Sequence, residues 1–341
     1  MSNSRQSAAT DNRSARTNGS RARRQVLAIA IVTLIASASA CSNQLGTGLT
    51  QTGELAKGGN SPSNGGEKGS KKPKQDSTVA PASLEFAFVS NASGSDQLYI
   101  YSGGTVSRLM TSNANDFAPS SAAGRIVFTS DRNGVAQIFI TDVAGQSVAQ
   151  LTTAGTNDQA ALSPDGAHVA FVSNRSGTAR LYVMDSTGAN QVELATGSQS
   201  WTPEDAPAWS PDGSMIAFTS VRTGTSQVFV VPAAGGSAVQ VTHEFNGAFL
   251  PTWSADGSSI VYVADAGGLR LRSVNVSTQA VAEYATATLG VSEPSCSADG
   301  CVAAVTTAAG SDVDFYAAAA GTPADVVPAF GTARQPAILH R

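Results

Sequence analysis

An all-β fold, a six-bladed β-propeller closed by pairing of the C-terminal strand with the first blade, is predicted for this 341-residue chain by three observations. A short apolar phrase recurs six times, the recurrences are one blade-length apart, and the repeat starts and stops out of phase. The copies are Phe86-Ala87-Phe88-Val89-Ser90, Ile126-Val127-Phe128-Thr129-Ser130, Val169-Ala170-Phe171-Val172-Ser173, Ile216-Ala217-Phe218-Thr219-Ser220, Ile260-Val261-Tyr262-Val263-Ala264 and the weaker Val302-Ala303-Ala304-Val305-Thr306. Their anchors Phe88, Phe128, Phe171, Phe218, Tyr262 and Val305 are 40, 43, 47, 44 and 43 positions apart, about the length of one four-stranded blade.

The fourth copy shows the elements of one period. A first strand over 206–210 ends in the turn Pro211-Asp212-Gly213, where proline presets φ, aspartate caps its own backbone and glycine accepts a positive φ. A second strand spans 215–220, a turn follows at Arg222-Thr223-Gly224, and third and fourth strands cover 227–231 and 238–242. These strands are apolar almost throughout, as expected of a sheet covered on both faces. The chain enters at a second strand, 84–90, with no first strand before it. It ends on Gln335-Pro336-Ala337-Ile338-Leu339, which matches a first strand, so the last residues are expected to complete the first blade and remove the free sheet edges. In the sixth copy alanines stand where other copies carry large side chains.

Leu162-Ser163-Pro164-Asp165-Gly166, Trp209-Ser210-Pro211-Asp212-Gly213 and Trp253-Ser254-Ala255-Asp256-Gly257, with the later turns Ser130-Asp131-Arg132-Asn133-Gly134 and Ser173-Asn174-Arg175-Ser176-Gly177, resemble the TolB-type propeller repeat over 84–339. The resemblance implies the fold. It does not imply one function, because such blades occur in periplasmic scaffolds, peptidase propellers and polysaccharide lyases. TolB itself carries an α/β domain ahead of its propeller, and here that place holds a linker.

Residues 1–40 read as a signal peptide, with Arg21, Arg23 and Arg24 before an apolar stretch over 26–35 and the cleavage sequence Ala38-Ser39-Ala40-Cys41. Ordinary and lipoprotein signal peptidases would both cut before Cys41. The expectation is that Cys41 is lipidated, since an exposed unpaired thiol is a liability in an oxidising compartment. Arg23 and Arg24 fit either an ordinary basic region or a twin-arginine signal. Residues 41–82 form a Gly-, Ser- and Lys-rich linker too polar to offset its ordering entropy, with an r.m.s. reach of about 35 Å. The propeller then occupies 83–341, and a monomeric ring is expected.

Charge divides along the same boundary. Region 83–341 holds 21 acidic residues against ten arginines and no lysine, which argues against nucleic acid, whose phosphates need a basic face. His168, His243 and His340 fall in different parts of the repeat, and no metal-ligand spacing or nucleophile elbow is present, so no catalytic residue, metal or cofactor is expected. Cys296 takes the position of Trp209 and Trp253, and Cys301 follows a tight turn. The two are expected to face each other in a hairpin and form a disulfide after export.

Repeat-locked polar residues are the remaining candidates. Asp165, Asp212, Asp256 and Asp299 have a turn-capping use. Asp116, Asp158, Asp205 and Glu293, read as lying just before first strands, and Arg132, Arg175 and Arg222, after second strands, are expected to gather on one rim, either as salt bridges between blades or as a recognition surface. Trp201 is the exposed-aromatic candidate on that rim. The function expected is a membrane-tethered, extracytoplasmic, non-enzymatic scaffold of the bacterial envelope that binds a protein or peptide; the alternative is a glycan-binding or glycan-cleaving module.

Overall fold

The computed structural model describes residues 80–284, 290–307, 310–317, 324–327, 330 and 332–339. The predicted signal peptide, Cys41, the predicted linker up to residue 79, and His340 lie outside the described residues.

The strands assemble into six four-stranded antiparallel sheets. β1 (Glu85–Ser90), β2 (Gln97–Ser102) and β3 (Thr105–Arg108) belong to the first blade. The second is β4 (Asp116–Ala122), β5 (Arg125–Ser130), β6 (Gln137–Asp142) and β7 (Ala149–Gln150). The third is β8 (Asn157–Leu162), β9 (His168–Ser173), β10 (Arg180–Asp185) and β11 (Val192–Glu193). The fourth is β12 (Glu204–Trp209), β13 (Met215–Ser220), β14 (Gln227–Pro232) and β15 (Val239–Gln240). The fifth is β16 (Ala248–Trp253), β17 (Ser259–Asp265), β18 (Leu269–Asn275) and β19 (Val281–Glu283). The sixth is β20 (Val291–Ser297), β21 (Gly300–Thr307), β22 (Gly310–Ala317) and β23 (Ala324–Val327). β24 (Arg334–Ile338) then returns to the first blade, whose strand order is β24-β1-β2-β3.

Closure is by antiparallel pairing of β24 with β1, Phe86 facing Ile338 and Ala87 facing Ala337. Leu339 N–H donates to Glu85 O at 2.9 Å. The second strands carry the core, because each is covered by the blades on both sides. Phe88, Phe128, Phe171, Phe218 and Tyr262 are fully buried. In the sixth blade the register differs from the expectation. Val291 faces Val305 there as Glu204 faces Ser220 in the fourth, so Ala303, not Val305, occupies the aromatic anchor position. On the side to which Ala303 points, the buried Tyr316 of the third strand, which faces Cys301, packs in the same cluster.

Each first strand contains a β-bulge, where Ala118, Gln159, Ala206, Leu250, Glu293 and Gln335 all have φ between 49° and 55°. A bulge frees one N–H from the ladder, and that group needs another acceptor. Adjacent blades supply it: Gln335 N–H donates to Glu293 Oε2 (2.8 Å), Ala118 N–H to Gln335 Oε1 (2.9 Å) and Ala206 N–H to Gln159 Oε1 (2.8 Å). Further along the same strands, the indoles of Trp209 and Trp253 donate to Ala161 O and Ala208 O of the preceding blades. Cys296 replaces that tryptophan in the sixth blade; it faces Cys301 with Cα atoms 4.0 Å apart, and their sulfurs are bonded.

The aspartates of the first hairpin turns cap those turns. Asp165, Asp212 and Asp256 accept from the serine two residues before and from the N–H two residues after. The serine hydroxyl bond, the largest influence, holds the Asp212 carboxyl down at about 2. In the sixth blade Ser297 Oγ donates instead to Gly300 O.

Deleting residues 334–341 removes β24 and the buried Ala337 and Ile338. The expected result is a loss of about 4 kcal/mol or more, a fall of roughly 10 °C in the thermal midpoint. An unchanged midpoint in calorimetry would refute closure as the basis of stability.

Candidate partner-binding face

The antiparallel order puts the first hairpin turns on one face of the ring. The turns after the second strands and the connections between blades share the other, which contains the predicted rim. Three arginines there have the same setting. Arg132 Nε donates to Ser130 Oγ, and its guanidinium lies 5.4 Å from the ring centre of Phe128 and 4.5 Å from that of Phe139. Arg175 repeats this with Ser173, Phe171 and Tyr182, and Arg222 with Ser220, Phe218 and Phe229. Each caps the aromatic pair of its own blade, a cation–π contact that partial burial strengthens.

The acidic partners differ from the expectation. Arg132 pairs with Asp116 at 2.9 Å, within one blade. Arg175 donates to Asn157 Oδ1 (2.9 Å), not to Asp158, and Arg222 pairs with Glu204 (2.8 Å), not with Asp205. The reason is the pleat: Asp116, Asn157 and Glu204 open their strands and share one side, whereas Asp158 and Asp205 sit one residue later and point to the other. Glu293 is a further residue on, at the bulge itself. These carboxylates also lie within the first strands, not before them. Glu204 joins two blades through arginine, since Arg180 of the third blade approaches it at 3.4 Å.

Asp158, Asp205 and Glu293 instead belong to the bulges. Asp158 Oδ1 accepts from Thr129 Oγ1 of the preceding blade (2.9 Å) and from Gln159 N–H (2.7 Å). Burial raises its pKa above the ordinary carboxylate value, as it does for Glu293. Burial, followed by the neighbouring Asp158 charge, raises Asp205 to about 7.

A second repeated network is buried beside the arginines. Gln137 Oε1 accepts from Thr152 Oγ1 and Gln137 Nε2 donates to Gly155 O; Gln227 does the same with Thr242 and Glu244 O. Arg180 takes the glutamine's place in the third blade and reaches Gln199 O and Thr202 O. The threonines fasten the connections between blades. From Thr152 to Asn157 four residues intervene, from Thr242 to Ala248 five, but from Thr196 to Glu204 seven. That longest connection carries Trp201, 71% exposed, and the next carries Phe245, 92% exposed. Phe245 was not singled out in the sequence; its place between an anchored threonine and the next first strand was the available signal. His168 is half exposed at the start of β9, 3.7 Å from Asp185. Among the described residues no group of three or more His, Cys, Asp or Glu could hold a metal ion, and no helix is long and apolar enough to cross a membrane.

A closed ring of six blades, with its polar repeat residues bonded internally and two aromatics raised from one face, defines a β-propeller. The TolB beta propeller domain family matches residues 153–337, and the chain belongs to it. The fold is similar to TolB from Acinetobacter baumannii at 22% identity, covering 76% of this chain and 67% of that one with a TM-score of 0.67. It is also similar to Kuenenia stuttgartiensis hydrazine synthase (15% identity, 76% and 47% covered, TM-score 0.61) and to a chain of a nidogen/laminin complex (9% identity, 75% and 98% covered, TM-score 0.56). No curated protein matches the chain. At these identities the likeness shows the fold alone.

The geometry separates structural from free groups. Arg222→Leu leaves the fully buried Glu204 with Arg180 as its remaining arginine; the expected cost is about 3 kcal/mol, or 6 to 12 °C in midpoint. Trp201→Ser, at an exposed position, is expected to move the midpoint by less than about 2 °C. Equal shifts in the two variants would refute this division.

Asp205 provides a pH test. Its folded pKa lies above the unfolded value, so between pH 4 and about 7 the folded state binds more protons and stability falls as pH rises. Asp205→Asn is expected to remove that fall, measured as denaturant midpoints at pH 5 and pH 8. A fall of the same size in the variant would show that Asp205 does not cause it.

Proposed function

We propose that the protein is an extracytoplasmic propeller, tethered to a bacterial membrane through lipid on Cys41, which acts by binding a protein or peptide of the envelope without catalysing a reaction on it. The observation that carries this reading is the pair of exposed aromatics, Trp201 and Phe245, on neighbouring connections of one face. Exposed aromatics supply contact area at low entropic cost and are enriched where proteins meet. Arg132, Arg175 and Arg222 are committed to bonds within the ring, so recognition falls to the connections, the usual binding elements of a rigid scaffold.

The signal-like residues before Cys41 and the acidic, lysine-free domain support export and a partner other than nucleic acid. Fatty-acid labelling of the wild type and of Cys41→Ala tests the tether: label is expected only in the wild type, and equal labelling or none would remove the anchor. Cross-linking in native membranes is expected to trap one stoichiometric protein partner. Binding of the purified protein to an envelope glycan, with no protein partner trapped, would favour the glycan reading instead.

A further inference from the structure

Resting on that reading, we infer that the fourth blade holds the contact patch, and that its partner is a polypeptide segment with a large apolar side chain flanked by lysine or arginine. Val221 is 44% exposed in the turn after β13 and stands between the connections that carry Trp201 and Phe245. The three are held as one surface. Ser220 Oγ donates to Pro203 O (3.1 Å) and Arg222 Nη1 to Thr196 O (2.9 Å), tying the turn to the Trp201 connection. Ala248 N–H donates to Ser226 O (2.9 Å) and Ser226 Oγ to Ala248 O (3.2 Å), tying it to the Phe245 connection.

Both aromatics project from anchored neighbours. Thr202, next to Trp201, is buried and its N–H donates to Gln199 O. Glu244, next to Phe245, accepts from Tyr262 Oη (2.7 Å) and Arg272 (2.8 Å). The patch is therefore preorganised, which lowers the entropy lost on binding. The exposed valines at 148, 192, 239 and 281 lie in or beside the short outer strands, spread around the ring. Val135 is in the equivalent turn of the second blade, where no exposed aromatic accompanies it.

Charge selects the partner. Arg222 is the cation within the patch, and it is held by Glu204 and by the rings of Phe218 and Phe229. Carboxylates stand at both borders: Asp265, whose N–H donates to Gly247 O, and Glu193, which joins the Trp201 connection through Arg180. The domain around them carries eleven more acidic than basic side chains. An anionic segment would be repelled. A segment with flanking cations would be steered to the face while its apolar side chain enters between Trp201, Val221 and Phe245.

The test is panning of a random dodecapeptide display library on the full chain in detergent micelles. Enriched peptides are expected to pair Leu, Phe or Trp with Lys or Arg, and to lose affinity at least about tenfold for the Trp201→Ser/Phe245→Ser variant, whose melting midpoint stays within about 2 °C of wild type. Val221→Asn, with both aromatics intact, is the second variant and is expected to show the same direction of loss. Peptides that bind the variants as well as the wild type would overturn the patch and leave the polypeptide reading standing. Enrichment of acidic peptides would overturn the charge argument. No enrichment of any peptide would overturn both this inference and the polypeptide reading.

Discussion

The structure depends on every blade being covered on both faces, and that condition holds only if the ring closes. The second strands are apolar at nearly every position, so a blade without its neighbour would expose an aromatic row to water. Pairing of β24 with β1 joins the first and last strands of the propeller in one sheet. It covers an edge of the first blade and places Gln335 between the bulges of the sixth and second blades. One short strand thus serves both the ladder and the inter-blade network.

The bulge is the second constraint. A non-glycine residue at φ near 50° is strained by about 1 kcal/mol or more, and the strain recurs in all six first strands. What the bulge provides is a free N–H directed at the adjoining blade, together with side chains that can accept from it. This explains why uncommonly polar residues, Gln159, Glu293 and Gln335, occupy positions next to the ring's interior. It also explains why Asp158 and Asp205 are half-buried carboxylates with raised pKa values. They belong to blade-to-blade bonding, at the cost of desolvating two nearby acids.

The blade count, the second strands and the closing strand were legible because a repeat reports the same local physics six times. The fourth copy shows the limits. Its second strand was read as 215–220 and found as Met215–Ser220, but its first strand begins at Glu204, two residues before the position read. A bulge hides the start of a strand, since it breaks the alternation from which faces are assigned. The same single-residue ambiguity put Asp205 among the rim acids, when Glu204 was the group on the side of Arg222. In the sixth blade the register slipped because alanine carries no size signal: Ala303 stands where the other blades have Phe or Tyr, and only the pairing of Val291 with Val305 reveals it.

The candidate site was less legible because its character comes from spacing more than from residue type. Arginine and aspartate at repeat-locked positions left salt bridges between blades and a recognition rim both open, yet a residue that recurs in every good copy of a blade serves what every blade needs, a capped aromatic pair and a satisfied turn. Function is better sought where one copy departs from the others. The interval of 47 positions between Phe171 and Phe218 is that departure. Its extra length falls after the buried Thr196 and before the buried Glu204, both fixed by hydrogen bonds, so lengthening cannot disturb the blades and must emerge on the connection face. Loop extension is entropically cheap, but leaving a tryptophan 71% exposed at its tip stabilises nothing in the ring. A side chain that the fold neither buries nor bonds, raised on the one connection longer than its counterparts, is the feature of this propeller that points outward to a partner.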